Sequence, residues 1–314
     1  MVRVAVGRLA SAVPLILLIT LGTFVLGQLM PGDQAYAVAG PDASSEEVAQ
    51  VRRDLDLEDP PPIRYARWLG DAAQGDLGVS AATRRPVAEE LGRRWPVTAS
   101  LGIVALSLSL ALGIPIGVAQ GLRPGSWLDR ALLALVSVGL AAPAFWLATL
   151  LVYLLAVQRR WLPALGYVEF GESPAEWARH ILMPALTLAV VGAAEIARQL
   201  RAALVGVMQQ DHIRAATARG LSPRVVVGKH ALRNASLPVL TIVGLRIGQL
   251  LAGAVVVEEM FELHGLGSYT LDAILNQDFA VVQGVVLLTA VVVVAANLLV
   301  DVLYFWANPK ARPA

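Results

Sequence analysis

The stretch FAVVQGVVLLTAVVVVAANLLVDVLYFW, residues 279–306, contains a single charged residue, Asp301. A helix needs about 20 predominantly apolar residues to cross the hydrocarbon core of a bilayer, so this stretch predicts a membrane-spanning helix. Five further stretches meet the same criterion, and the chain is therefore predicted to be an all-α integral membrane protein with six transmembrane helices. The predicted spans are 9–30, 98–121, 128–157, 180–207, 235–257 and 279–306.

The overall composition agrees with a lipid environment and excludes several classes of protein. Of the 314 residues, 56% are hydrophobic and 16% are charged, and the mean hydropathy is +0.63. Soluble domains carry about 25% charged residues. The formal net charge of +1 argues against nucleic-acid binding. The chain has no cysteine, which excludes disulfides, zinc–thiolate sites and iron–sulfur clusters.

The first apolar stretch predicts a retained anchor rather than a cleaved signal peptide. Signal sequences have an apolar region of about 7–15 residues, whereas this stretch continues to Met30. We accordingly divide the chain into residues 1–30 with the first span, an external segment 31–97, a five-helix core 98–306 and a tail 307–314.

The distribution of basic residues predicts the orientation of the spans. The loop 208–234 carries five basic residues, whereas the loop 258–278 contains neither lysine nor arginine. Because basic residues accumulate in short cytoplasmic loops, both termini and the loops 122–127 and 208–234 are predicted to be cytoplasmic.

The external segment 31–97 is predicted to contain two short helices. Ser44 or Ser45 can cap a helix at 45–55 that has Glu46 and Glu47 in its first turn. The three prolines at 60–62 end it, and a second helix is predicted at 63–74. The segment is too short to form an independent domain with its own core.

Small residues in two spans predict close helix packing. Gly113, Gly117 and Gly121 recur every four residues in the second span, and Gly244 and Gly248 repeat the spacing in the fifth. Such stripes let helix backbones approach one another in membranes. Prolines within or near the spans predict kinks, and these are Pro14, Pro115, Pro143 and Pro184.

The loop 208–234 contains the most informative short sequence, DHIRAATARGLSP at 211–223. Three alanines give it a thin face, and Gly220 suits a helix C-terminus or a tight turn. A second helical stretch is predicted at 223–233. A short helix with a small-residue face suits docking into a groove on a soluble partner, but a surface helix that binds anionic lipid through its arginines is an equally good interpretation of the composition.

This loop resembles the coupling loop of membrane subunits of ATP-binding-cassette (ABC) importers, and it is most similar to the branch that imports dipeptides, oligopeptides and nickel. Arg214 stands where the general motif has an acid, and Arg233 stands where a proline is expected. Further stretches resemble the first, or B-type, permease of this branch in order and spacing. They are 29–33, 75–80, 125–130, 258–267, 297–304 and 308–310.

The resemblance implies a fold of six transmembrane helices of the type I ABC importer kind, in a bacterial plasma membrane. It implies a second homologous permease, two ABC ATPase subunits or one fused ATPase, and an extracytoplasmic solute-binding protein as partners. The chain itself lacks a phosphate-binding loop, so ATP and Mg²⁺ are expected in the ATPases, and no cofactor is expected here. The residues expected at the ATPase contact are Arg214, Ala215, Ala216, Arg219, Gly220, Leu221 and Ser222.

Two ionisable residues fall near the centres of spans, where charge is costly and usually faces the bundle interior or water. Glu195 lies in the fourth span and Arg246 in the fifth. Because these spans are antiparallel, we expect the two residues to pair or, together with Gln249, to line a translocation path. A purely structural ion pair, or a pair between Glu195 and Arg198, is the competing interpretation. Arg198 and Arg201 are expected to reach the lipid headgroups.

An acidic cluster follows the fifth span. Glu258, Glu259 and Glu262 are candidates for contact with the binding protein or with cationic substrate, and an ordinary solvated loop is the alternative. The function alternatives are a permease for nickel or another small solute and a stand-alone channel or secondary transporter. A membrane-embedded enzyme is disfavoured because no nucleophile–base pair or metal-ligand spacing is present.

Overall fold

The computed structural model describes residues 2–29, 34–40, 43–54 and 56–307. Two of the resembling stretches, 29–33 and 308–310, lie mostly or wholly outside these ranges. The helices, in chain order, are Val2–Leu29 (α1), Gln34–Ala39 (α2), Ser45–Asp54 (α3), Pro61–Ala73 (α4), Val87–Leu122 (α5), Trp127–Ala141 (α6), Ala144–Leu151 (α7), Pro174–Met208 (α8), Asp211–Ala218 (α9), Pro223–Val225 (α10), Leu232–Phe261 (α11), Leu266–Leu275 (α12) and Phe279–Ala307 (α13). Two π-helical stretches, Val152–Gln158 and Val226–Ala231, extend α7 and α10.

The long apolar helices confirm the all-α membrane fold. Within the described ranges, α1, α5, α8, the continuous helix Pro223–Phe261 and α13 are each long and apolar enough to cross a bilayer. The pair α6 and α7 passes the same test only when it is taken together. The described ranges therefore contain five candidate spans, or six if α6 and α7 together form one, against the six that were predicted.

The predicted third span, 128–157, is not one straight helix. Helices α6 and α7 meet at an angle of 103°. The break lies at Ala142 and Pro143, where Ala142 has extended backbone angles (φ −71°, ψ 122°). Proline disfavours a helical conformation at the preceding residue, so the chain leaves the helix at Ala142 and starts a new one at Ala144.

The chain divides into two compact units, of which the larger contains residues 99–263 and 295–307 of the described chain. Helix α8 is its central element. In its most apolar stretch 67% of the residues are buried, against 17–28% in the other long helices. Helices α5, α6, α7 and α11 all pack against α8.

The glycine stripe of α5 forms the predicted packing seam, and its partner is α8. A Cβ atom at Gly113 would lie 2.7 Å from the carbonyl oxygen of Ala193, and one at Gly117 would lie 2.8 Å from that of Ala197. At Gly121 it would meet the Leu204 side chain at 2.9 Å. The two backbones approach so closely that no larger residue fits.

The second unit contains residues 2–98 and 264–294. Its core is a cluster of apolar residues from the start of α5, from α12 and from the start of α13, namely Val87, Leu91, Leu266, Tyr269, Ala273, Val281 and Val285. Burial raises the pKa of the Tyr269 phenol, and the nearby Asp278 carboxylate raises it further. Helix α12 occupies part of what was predicted to be a loop at 258–278.

The short helices of segment 31–97 largely agree with the prediction from the sequence. Helix α3 spans Ser45–Asp54, and Ser44 and Glu47 form a reciprocal cap in which the Ser44 N–H donates to Glu47 Oε2 at 2.7 Å. The hydrogen bonds from Ser44 lower the pKa of Glu47. Helix α4 starts at Pro61, slightly before the predicted position, and α2 was not predicted. Asp278 ties the loop before α5 to the start of α13, since its Oδ2 accepts from Ser80 Oγ at 2.6 Å.

The α5–α8 seam gives a direct prediction for stability. The Gly117→Ala variant is expected to lose about 1–3 kcal/mol, because its methyl group would overpack the Ala197 backbone. Gly102→Ala in the same helix is the matched control, since nothing lies within 4 Å of its Cβ position. Thermal unfolding in detergent measures both, and equal midpoints for the two variants would contradict the seam.

Candidate functional site

Helix α9, Asp211–Ala218, is held against the end of α8 by an apolar cluster. Ile213 and Ala216 are 2% and 7% exposed and form the buried face of α9. They belong to one cluster with α8 residues and with residues of the chain that follows, which are Ile196, Leu200, Leu204, Val207, Val226, Ala231, Ala235 and Val239. The short helix is therefore seated on the bundle by side-chain packing.

The opposite face of α9 and the turn after it are exposed. Arg214 and Ala215 lie on the exposed face, and Arg219, Gly220, Leu221 and Ser222 form the turn. Gly220 has φ +79°, which reverses the chain in a conformation that residues other than glycine adopt with strain. The result is a small, partly apolar surface flanked by two arginines.

Ala216 was also expected at the contact with the ATPase, but its side chain is buried within the chain itself. It lies three residues after Ile213 on the same helical face, so both side chains point toward α8. The other six residues predicted for this contact are all exposed.

The chain after the turn enters the next span without an irregular loop. Pro223–Val225 starts a helix that continues through the π-helical stretch Val226–Ala231 into α11. The separate helix predicted at 223–233 is thus the first part of the helix that forms the fifth span. His212 of α9 and Asn234 of α11 approach at 3.4 Å.

A buried ion pair joins the first turn of α6 to α8. Asp129 is 1% exposed, and Arg201 donates to it in a bidentate manner, with Nε to Oδ1 and Nη2 to Oδ2 both at 2.7 Å. The Gly125 N–H also donates to Oδ2 at 2.8 Å, and Ser126 caps α6 through the Asp129 N–H. Arg201 was expected to reach the lipid headgroups, but its guanidinium is bound by this carboxylate.

Glu195 of α8 and Arg246 of α11 lie in contact within the bundle. Arg246 Nε is 3.2 Å from Glu195 Oε2, and Arg246 Nη1 donates to Gln249 Oε1 at 2.9 Å. The Arg246 side chain is 9% exposed and that of Glu195 is 27% exposed. Arg198, the competing partner for Glu195, is exposed.

The guanidinium of Arg246 is incompletely satisfied. Its Nη2 is buried and has no hydrogen-bond partner among the residues that the structure describes. A Cβ atom at Gly192 would meet Ser109 Cβ at 3.0 Å and this nitrogen at 3.4 Å, so the glycine lets both side chains approach the α8 backbone. A buried donor of a charged group that lacks an acceptor can bind an oxygen from outside the chain.

Helix α11 has one face that its own chain leaves open. Residues at helical spacing along it are exposed, namely Thr241, Leu245, Gln249, Ala252, Val256 and Glu259. Polar side chains within a span face the bundle interior or water rather than lipid. Gln249 lies on this open face and accepts a hydrogen bond from Arg246. The ion pair is therefore next to an exposed surface whose polar side chain requires a polar neighbour or water.

The acidic cluster at the end of α11 is split by the helix. Glu258 is fully buried, because α11 continues to Phe261 and places Glu258 on the same face as Ala254 and Phe261. Its side chain therefore does not reach the surface as expected. Glu259 and Glu262 are exposed, and Glu262 ends the helix in a left-handed conformation with φ +53°.

Comparison with known proteins identifies relatives over the whole chain. The family described as "Binding-protein-dependent transport system inner membrane component" matches residues 113–313, and the corresponding N-terminal family matches residues 1–102. The chain is 40% identical to a peptide transport system permease protein of Brucella abortus, over 97% of both chains. It is 37% identical to the glutathione transport system permease protein of Salmonella paratyphi A, over 99% of both chains.

A solved structure shares the fold. The MetNI methionine ABC transporter in an inward-facing conformation superposes with a TM-score of 0.57 at 20% sequence identity, which covers 70% of this chain and 96% of the transporter chain.

The Asp129–Arg201 pair is expected to stabilise the core. The Asp129→Asn variant leaves the Arg201 guanidinium without its carboxylate and is predicted to lower the free energy of unfolding by about 1–3 kcal/mol, measured as a lower thermal midpoint in detergent. The matched control is Asp211→Asn, since Asp211 pairs with Arg214 at 3.5 Å and both side chains are exposed. We expect no measurable change there, and a comparable loss in both variants would refute the role of the buried pair.

Proposed function

The chain belongs to the family of inner-membrane components of binding-protein-dependent transport systems, and we propose that within such an ATP-driven importer it carries short peptides across the bacterial plasma membrane. The observation that carries this proposal is the near-complete coverage by relatives named for peptide transport and for transport of glutathione, a tripeptide. With a second homologous permease, the chain forms the transmembrane pathway. An extracytoplasmic solute-binding protein delivers the peptide, and both termini of the chain lie in the cytoplasm.

The exposed surface of α9 and of the turn 219–222 binds the ATPase subunits. Two ABC ATPases or one fused ATPase bind and hydrolyse Mg²⁺-ATP below the membrane. Ala215 and Gly220 leave the surface flat enough for a groove on the partner, and Leu221, which is 39% exposed, supplies an apolar contact. Because the arginines at 214 and 219 flank this surface, an acidic rim on the ATPase would complement it.

ATP binding then acts on the permease through a two-state element. Closure of the ATPase subunits displaces α9. The cluster around Ile213 and Leu204 passes this displacement to α8, and the continuous helix from Pro223 passes it to α11. Binding energy at the ATPase thereby biases the permease between inward and outward openings.

The Glu195–Arg246 pair and Gln249 line the peptide path. A peptide carries an ammonium and a carboxylate, and each can exchange with one partner of this ion pair as the peptide passes. The unpaired Nη2 of Arg246 is available to a carboxylate oxygen without breaking the contact to Glu195. At the outer end of α11, the exposed Glu259 and Glu262 contact the binding protein.

The ATPase contact is tested by enlarging its flat face. The Ala215→Trp variant is expected to reduce the amount of ATPase that co-purifies with the tagged permease by roughly tenfold, because an indole would hold the two surfaces apart. Ala175→Trp is the matched control, since Ala175 is equally exposed at the opposite end of α8. Undiminished ATPase recovery in the Ala215→Trp variant would argue that α9 binds lipid instead.

The path is tested by uptake of a dipeptide into proteoliposomes that contain the complete importer. Wild type is expected to prefer the free dipeptide over its C-terminal amide by roughly tenfold, since a site built to bind a charged group rejects an analogue without it. The Arg246→Gln variant is expected to lose this preference along with most of its uptake.

Arg198→Gln serves as the control for the path, because Arg198 is exposed one turn from Glu195. It should retain both the uptake rate and the preference for the free carboxylate. If the ion pair is purely structural, the uptake that remains in the Arg246→Gln variant should still prefer the free dipeptide over its amide. This outcome would show that Arg246 does not line the path.

A further inference from the structure

A second candidate site lies in the unit formed by residues 2–98 and 264–294, which does not contain Glu195 or Arg246. A cavity of about 370 Å³ opens where α1 ends and α13 begins. Its walls are formed by α4, by the first turns of α13 and by the loop 76–81, and its apolar surface includes Phe24 and Phe279.

The register of two helices places the side chains around the cavity. Arg64, Trp68 and Asp71 recur at intervals of four and three residues on one face of α4. On α13, Phe279 and Gln283 are one turn apart and line the opposite wall. The Phe279 ring is fixed against α1, since a Cβ atom at Gly27 would lie 2.7 Å from it.

Two buried hydrogen-bond donors that line the cavity lack acceptors. Gln283 is only 8% exposed, and its Nε2 has no hydrogen-bond partner in the described part of the chain. The indole Nε1 of Trp68 is also buried and likewise has no partner there. Buried polar groups are nearly always satisfied in native proteins, so two such donors lining one cavity indicate that a ligand supplies oxygen acceptors.

The acidic side chains that line the cavity differ in whether the described part of the chain supplies them with a partner. Arg67 binds Asp56 and Asp59, the Gly78 N–H donates to Asp76, and Ser80 binds Asp278. By contrast, the Asp71 carboxylate is exposed and has no ion pair or hydrogen bond to its side-chain oxygens among the described residues. A cation is the complementary group for it.

We propose that this cavity is an entry site for the transported peptide, which it binds as a short zwitterion. The peptide ammonium pairs with Asp71, a carbonyl or carboxylate oxygen accepts from Trp68 Nε1 and Gln283 Nε2, and an apolar side chain packs against Phe24 and Phe279. The volume lies within the range of small-molecule pockets. This assignment rests on the proposed function, which supplies peptide as the class of cargo. The topology proposed with that function places the cavity on the outer side of the membrane.

The test measures binding of radiolabelled alanyl-phenylalanine to the purified complete importer in nanodiscs, without the binding protein and without ATP. All variants are compared in the Arg246→Gln background, so that the proposed path site does not contribute. Trp68→Phe and Gln283→Leu each remove one donor and are expected to weaken binding by about three- to tenfold. Asp71→Asn removes the charge and is expected to weaken it by about tenfold or more.

Matched controls separate the cavity from general effects on the fold. Trp177→Phe removes another buried indole N–H that has no partner, but Trp177 does not line the cavity. Asp272→Asn removes an exposed carboxylate in the same unit. Both control variants are expected to bind the dipeptide with the same affinity as the Arg246→Gln protein, which is the parent of all variants in this test.

N-acetyl-alanyl-phenylalanine tests the orientation of the ligand. The parent should bind it about tenfold more weakly than the free dipeptide, whereas Asp71→Asn should bind the two equally. Unchanged affinity in all three cavity variants, or an acetylation penalty that persists in Asp71→Asn, would overturn the site. Absence of peptide uptake by the wild-type importer would instead refute the proposed function, so the two failures are distinguishable.

Discussion

The close approach of α5 to α8 is the constraint on which the larger unit depends. Lipid offers no hydrophobic drive for helices to associate, so association relies on van der Waals packing at short distance. The glycines at 113, 117 and 121 permit this distance along three turns. With its apolar surface covered on several sides, α8 can present Glu195, Arg201 and Leu204 to three different neighbours. The ion pair, the brace to α6 and the seat of α9 therefore share one central helix.

Polar groups in this chain are satisfied to different degrees, and the differences separate structural from functional roles. Asp129 receives hydrogen bonds from Nε and Nη2 of Arg201 and from the Gly125 N–H, so its charge is balanced within the chain. Among the described residues, Arg246 Nη2, Trp68 Nε1 and Gln283 Nε2 are buried donors that have no acceptor. Such groups are costly in a folded chain. Their persistence in two places fits a protein that handles polar cargo in an apolar environment.

Local patterns in the sequence were sufficient for the spans, the glycine seam, the cap at Ser44 and the turn at Gly220, because each depends on residues a few positions apart. The sequence offered both Arg198 and Arg246 as partners for Glu195, because the predicted depth in the membrane does not distinguish between them. The sequence missed features that depend on tertiary partners. The inward face of Ala216, the burial of Glu258 and the Asp129–Arg201 pair are set by packing against α8 or within α11. The 103° bend at Pro143 was marked only as a kink.

The helix that begins at Pro223 has a mechanical consequence. Residues 223–246 form one continuous helix, which includes the π-helical stretch Val226–Ala231 and Pro238 and is about 35 Å long at 1.5 Å per residue. A tilt of about 5° around Pro223 would displace the Arg246 guanidinium by roughly 3 Å, which is the full length of its contact with Glu195. The helix thus has the geometry of a lever arm: the same tilt displaces Val226, next to Pro223, by only about 0.4 Å, and displaces the polar contact at Arg246 by about its own length.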